Sequence, residues 1–217
     1  MIVALDGPAG VGKSTIAKCI AHRTGMKYIN SGNLYRAVTW RVLDAGKNPE
    51  DKDASVRLAS EARFELRDGA LHVDGSNVEE ELHTDAVDAH VAAVSSFPEI
   101  RELVNRELRS ITADIDAVVE GRDITTVVFP DAEVKVFLDA SVETRAERRY
   151  AQGTSNLSLE KIKQSISDRD HIDRTKPLGR LELAPDAVYL DTSHLTIDQV
   201  CEKVIHTIHN RNISNQE

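Results

Sequence analysis

Gly7-Pro8-Ala9-Gly10-Val11-Gly12-Lys13-Ser14 satisfies G-x-x-x-x-G-K-[ST] at every position, and Thr15 follows it. Glycines at this spacing let consecutive backbone N–H groups turn inward around a phosphate. A helix opening behind them adds roughly half a positive charge at its N-terminus. In such a loop Lys13 reaches the β and γ phosphates and the Ser14 hydroxyl holds Mg²⁺. Residues 7–15 are therefore assigned to ATP, with Mg²⁺ at Ser14. The bland alternative is a glycine-rich turn between a strand and a helix that binds nothing. No Asn-Lys-x-Asp run that would read guanine is present, which sets regulatory GTPases aside. Motor and transport ATPases are usually larger, so a small-molecule kinase is the better reading.

The loop needs a strand before it and a helix after it, and both are predicted. Short apolar runs at 2–5, 117–119, 134–138 and 188–190 predict buried strands. Helical patterns cover 13–24, 34–45, 99–111, 142–151, 159–170 and 197–209. Pro98 stands at a first-turn position and Ser158 three residues before Lys161, both suitable helix starts. Strands alternating with helices imply an α/β fold with a parallel sheet. From 63 to 78 the rhythm changes to alternation broken by Arg67-Asp68-Gly69 and Gly75-Ser76-Asn77. That predicts a small antiparallel insert ahead of a helix beginning near Thr84.

A chain of 217 residues fits one α/β domain with a modest inserted part. Only 4% of residues are aromatic against 41% hydrophobic, so the core must be aliphatic. The net charge of -9 disfavours broad attraction to nucleic acid or an anionic membrane, leaving any anionic ligand to a local basic cluster. Met1-Ile2-Val3-Ala4-Leu5 lacks the basic flank and the length of a signal peptide, and no apolar run approaches a membrane span. The expectation is a cytoplasmic protein. Cys19 and Cys201 have neither a Cys-x-x-Cys partner nor metal-ligand spacing, and are expected to be ordinary helix or core residues. His206 and His209, one turn apart, lack a third ligand, and Trp40 is expected in the core. Residues 212–217 are expected to fray.

Five further fragments fall into order: Asn30-Ser31-Gly32-Asn33-Leu34-Tyr35-Arg36, Phe97-Pro98-Glu99-Ile100-Arg101, Val119-Glu120-Gly121-Arg122-Asp123, Arg145-Ala146-Glu147-Arg148-Arg149 and Arg169-Asp170-His171-Ile172-Asp173. In this order and spacing the chain resembles the bacterial cytidylate kinase family over nearly its whole length. The resemblance implies phosphoryl transfer from ATP to CMP or dCMP on a P-loop NTPase-type parallel sheet flanked by helices. It implies a single domain over 1–217 with three parts. These are a core at about 1–32, 112–145 and 180–211, a monophosphate-binding part with the β insert at about 33–111, and a helical lid at about 146–179. The implied partners are small molecules only, in a monomer.

The chemistry of the side chains agrees. Two phosphates brought to about 4 Å repel by roughly 4 kcal/mol per pair of unit charges at an effective dielectric near 20. Arg36 and Arg122 are suited to clamp the acceptor phosphate, since a guanidinium meets two oxygens at once. Lys13, Arg122, Arg148 and Arg149 are the catalytic candidates; for Arg145, Arg148 and Arg149 the alternative is a solvated helix face. Asp123 can accept from the cytosine N4 amino group while Arg101 donates to N3 or O2; the alternative for Asp123 is a helix N-cap. Asp173 is assigned to ribose hydroxyls and Arg169 to phosphates, with Ser31, Tyr35 and Lys176 completing the substrate set.

Three positions depart from the family pattern. Ala92 replaces a Ser that would contact the base, unless Ser95 or Ser96 substitutes; Glu120 replaces an Asp; and Lys176 replaces a lid Arg, a duty Arg180 could share. Two rival readings remain: a P-loop kinase for another nucleotide or metabolite, and an ATP-binding regulatory module without transferase activity.

Overall fold

The computed structural model describes residues 1–67, 69–151, 153 and 157–214, the side chains of 212–214 excepted. Asp68 of the expected 67–69 turn and the end of the expected frayed tail lie outside the described residues. The chain divides into two compact units, Met1–Ile29 with Asp116–Glu217, and Asn30–Ile115.

In the first unit the apolar run after Met1 forms β1 (Ile2–Asp6), which is buried almost throughout. A strand buried on both faces belongs in the middle of a parallel sheet. The strands are β1, β2 (Lys27–Asn30), β6 (Ala117–Gly121), β7 (Val134–Asp139) and β8 (Val188–Asp191), in the order β2-β6-β1-β7-β8. β1 is parallel to both neighbours, with Asp6 level with Gly121 on one side and Phe137 on the other. The chain thus leaves β1 and β6 at the same end of the sheet, where α/β folds bind ligands. Around the sheet lie α1 (Lys13–Thr24), α6 (Val142–Ala151), α7 (Leu159–Thr175) and α8 (Ile197–Ser214). The core is aliphatic: Val3, Leu5, Ile16, Ile20, Val136, Leu138, Val200 and Val204 belong to one buried cluster. Each such side chain contributes about 1.5–3 kcal/mol on burial.

The second unit holds α2 (Ser31–Asp44), α3 (Lys52–Glu61), α4 (Asp85–Val94) and α5 (Pro98–Thr112). With them is the antiparallel sheet β3 (Phe64–Arg67), β4 (Ala70–Val73) and β5 (Ser76–Asn77). The hairpin register pairs Phe64 with Val73 and Leu66 with Leu71, so alternate residues share a face. α5 buries Ile100, Leu103, Val104 and Leu108, a stripe at three- and four-residue spacing. Pro98 occupies its first turn.

Several expectations change. The 188–190 strand is an exposed edge, with Val188 and Tyr189 both open to solvent, rather than a buried one. Trp40 is half-buried and outside the fully buried core. α3 and β2 were not anticipated. Cys19 of α1 and Cys201 of α8, expected to be ordinary helix or core residues, face each other with Cα atoms 6.5 Å apart, and Cys201 is fully buried. No helix among the described residues is long and apolar enough to cross a membrane.

Candidate active site

The glycine loop runs from the end of β1 into α1, as its sequence requires. A Cβ on Gly7 would lie 2.3 Å from the Leu138 carbonyl oxygen, so no larger residue fits against β7. Gly12, preceding α1, has φ 95°, the left-handed conformation that glycine adopts without penalty. The loop's carbonyls are held by basic side chains. Lys13 Nζ donates to the carbonyls of Gly7 at 2.8 Å and Pro8 at 2.9 Å. Arg145 Nη1 donates to Ala9 at 3.0 Å, and Arg148 Nη1 to Val11 at 3.4 Å. Ser14 and Thr15 open α1 exposed to solvent.

Lys13 is buried, and burial first, then the charge of Arg122, holds its pKa well below the ordinary lysine value against the pull of Glu120, Asp6 and Asp173. Arg122 stands directly after β6, its Nε 2.8 Å from Asp173 Oδ2 on α7. Lys176 Nζ lies 3.3 Å from the other oxygen, Asp173 Oδ1, and Arg169 Nε lies 3.9 Å from Oδ2. Burial pushes the Asp173 carboxyl up, but the Arg122 charge and hydrogen bond, with Lys176 and Arg169, outweigh it and leave the pKa below the ordinary aspartate value. Four of the sequence candidates, Arg122, Arg169, Asp173 and Lys176, therefore form one cluster. Arg180 pairs instead with Glu182 at 2.7 Å. Arg149 is exposed, whereas Arg148 is half-buried, with Nη2 donating to the Thr192 carbonyl at 2.6 Å. Arg145 is 3% exposed, which overturns the solvated-face alternative for that residue.

Asp6 was not singled out in the sequence. Asp6 is fully buried and accepts from Ile124 N at 2.9 Å, Thr125 N at 2.7 Å and Thr125 Oγ1 at 2.6 Å. Burial raises its pKa above the usual aspartate value despite those bonds. It caps the π-helical turn Ile124–Val128, a duty sequence reading offered to Asp123. Asp123, itself buried, makes no capping bond with its side chain. The signal available was a carboxylate at the end of an apolar strand, next to the first loop glycine. Glu120, the departure from the family pattern, is buried and accepts from Tyr28 Oη at 2.6 Å.

The remaining candidates belong to the second unit. Ser31 begins α2 and is buried, with Asn30 Oδ1 accepting from Gly32 N at 2.9 Å as the cap. Arg101 on α5 lies with its guanidinium carbon 5.3 Å from the centre of the Tyr35 ring and donates to the Ser95 carbonyl at 3.2 Å. Arg36 is in α2, which follows the end of β2; it pairs with Asp88 and donates to the Leu82 carbonyl at 2.9 Å. The Ser95 and Ser96 hydroxyls both donate to α4 carbonyls, of Ala92 at 3.0 Å and Ala93 at 2.6 Å.

Comparison with known proteins names the family. The family profile for cytidylate kinase matches residues 3–210. The chain belongs to the cytidylate kinase family. A curated relative, the cytidylate kinase of Borrelia duttonii (strain Ly), is 40% identical over 212 residues, covering 95% of this chain and 97% of its own. Among solved structures, a gluconokinase from Sinorhizobium meliloti 1021 superposes with a TM-score of 0.51 at 14% identity, covering 99% of this chain and 96% of that one. A shikimate kinase from Bacteroides thetaiotaomicron gives 0.50 at 15% identity, covering 96% and 98%. These likenesses establish the P-loop kinase fold. As a member of the cytidylate kinase family the chain is an enzyme, a phosphotransferase.

Among the described residues no group of three or more His, Cys, Asp and Glu could hold a metal ion. The exposed Ser14 hydroxyl beside the glycine loop is a single oxygen ligand, which fits Mg²⁺ only because that ion keeps waters and binds through substrate phosphates rather than in a protein cage.

Proposed function

We propose that this cytidylate kinase family member transfers the γ-phosphoryl group of ATP to CMP and dCMP, giving ADP with CDP or dCDP, by positioning and charge neutralisation. The carrying observation is the level pairing of Asp6 with Gly121, which starts the ATP loop and the Gly-Arg-Asp segment at one end of adjacent parallel strands. Arg122 is close enough that its charge lowers the Lys13 pKa. Two cations so placed answer the repulsion between two phosphates.

In this reading residues 7–15 bind ATP, and Lys13 turns from the Gly7 and Pro8 carbonyls to the β and γ phosphates. Mg²⁺, held by Ser14 and phosphate oxygens, would neutralise charge on those phosphates. Arg36 and Arg122 clamp the acceptor phosphate, Arg169 and Lys176 assist, and Arg148 and Arg149 bear charge developing in transfer. Asp173 has lone pairs enough to hold Arg122 and still accept from a ribose hydroxyl. Asp123 accepts from cytosine N4 and Arg101 donates to N3 or O2, with Ser31 and Tyr35 lining the nucleoside. No general base is needed, because the attacking oxygen belongs to a phosphate already ionised near neutral pH.

The assigned parts are a core, an acceptor part at about 33–111 and a lid at about 146–179. The protein acts as a cytoplasmic monomer on small molecules. A coupled assay of ADP release with CMP, dCMP, UMP and AMP tests the reading. CMP and dCMP should turn over, with UMP disfavoured by about 1–3 kcal/mol per mispaired contact. Equal turnover of UMP would refute the base assignment.

A further inference from the structure

We propose that Arg145 is a positioning residue for the donor phosphates, setting the direction of the loop's N–H groups through the Ala9 carbonyl and itself held in place by Asp170. The inference rests on the assignment of the loop to ATP. Across a trans peptide the carbonyl of one residue and the N–H of the next point in opposite directions. A loop that must aim its N–H groups at phosphate therefore has to turn its carbonyls away, and each of these needs a partner. The Ala9 carbonyl is taken by Arg145 Nη1 at 3.0 Å, which orients the Gly10 N–H.

The guanidinium makes four bonds, to three partners. Nε donates to the Ala140 carbonyl at the end of β7, at 2.9 Å. Nη1 and Nη2 meet the two Asp170 oxygens at 2.9 and 2.5 Å, a fork-on-fork pair with α7. At 3% exposure, Arg145 is shielded from water and has little room for another rotamer. Lys13 differs, because its bonds to Gly7 and Pro8 break when Nζ turns to the phosphates. Once Lys13 has moved, the Arg145–Ala9 bond still holds the loop. The same helix α7 that supplies Asp170 supplies Asp173 to Arg122, so one helix fixes both the loop's anchor and the neighbouring arginine.

The test titrates a non-hydrolysable ATP analogue into the full chain by calorimetry with no acceptor present, beside initial-rate kinetics and a melting curve for each variant. Arg145→Gln should weaken the analogue about 10-fold and lower kcat about 30-fold, while CMP affinity for the free enzyme stays within about 2-fold. Asp170→Asn should move both in the same direction by about 3-fold, and the double variant should be no worse than Arg145→Gln alone. Arg145→Lys restores charge but not the fork, and should stay within about 3-fold of Arg145→Gln. A folded Arg145→Gln with unchanged analogue affinity and kcat overturns the proposal. Equal loss of CMP affinity, full rescue by Lys, or independent effects of the two residues would also overturn it. If Arg145→Gln does not fold, Asp170→Asn decides, and unchanged analogue affinity there is the contrary result. Failure of the unaltered chain to bind the analogue would strike the ATP assignment itself, so the two failures are separable.

Discussion

The basic residues of the two units are held in different ways. In the first unit Lys13, Arg145 and Arg148 all donate to backbone carbonyls of the loop they serve, and Arg122 is fixed by a buried carboxylate. In the second, Arg36 is held by Asp88 and a carbonyl, and Arg101 by a carbonyl and the Tyr35 ring. The first arrangement shapes the backbone and suits binding a triphosphate, whose oxygens are met largely by main-chain N–H groups. In the second, under the proposed function, the guanidinium itself would meet the acceptor nucleotide. Loss of a side chain in the first unit should therefore damage ATP binding and the chemical step, and loss in the second the affinity for CMP.

Lys13→Ala should have the largest effect. It removes the cation from the γ-phosphate and is expected to lower kcat/KM for ATP by about 10³-fold, near 4 kcal/mol, with CMP affinity nearly unchanged. Steady-state kinetics with varied ATP checks this. Arg122→Ala follows, with kcat reduced about 10²-fold or more. It also leaves Asp173, 6% exposed, without its closest partner, so the melting temperature should fall as well. Arg122→Lys should recover much of the stability and less of the rate, because a point charge cannot form the fork.

Arg101→Ala sharpens the comparison from the other side. The KM for CMP should rise about 10- to 100-fold with kcat changed much less, and ATP analogue affinity should not move. A large fall in kcat with KM intact would show that both units act on the chemical step. The smallest effect is on acid stability. Asp173 has a folded pKa below its unfolded value of about 3.9, so its contribution is present above that value and is lost as pH falls through the folded pKa. Urea unfolding between pH 7 and 2.5 should show a shallower acid limb for Asp173→Asn than for the unaltered chain.

The loop and its flanking elements were plain in the sequence because local signals agreed: an apolar run, glycines at fixed spacing, then a helical pattern that the structure bounds at Lys13–Thr24. The β insert was legible from its turns and alternation. α3 was missed although Asp51 caps it, accepting from Ala54 N at 3.1 Å, because its apolar stripe is short and sits among charges. Partners distant in sequence could not be read. Arg145 resembles Arg148 and Arg149 until Ala9, 136 residues away, is brought to its guanidinium. Likewise Asp123 looked like the cap of the following turn, whereas Asp6 performs that duty from 118 residues away. The edge position of β8 follows from strand order, which its own apolar residues do not encode.

The most direct test of the division between the units is calorimetric titration of CMP, and separately of a non-hydrolysable ATP analogue, into Lys13→Ala and Arg101→Ala. The expected result is a crossed pattern: Lys13→Ala loses the analogue and keeps CMP, while Arg101→Ala loses CMP and keeps the analogue. Equal loss of both ligands in either folded variant would contradict the account.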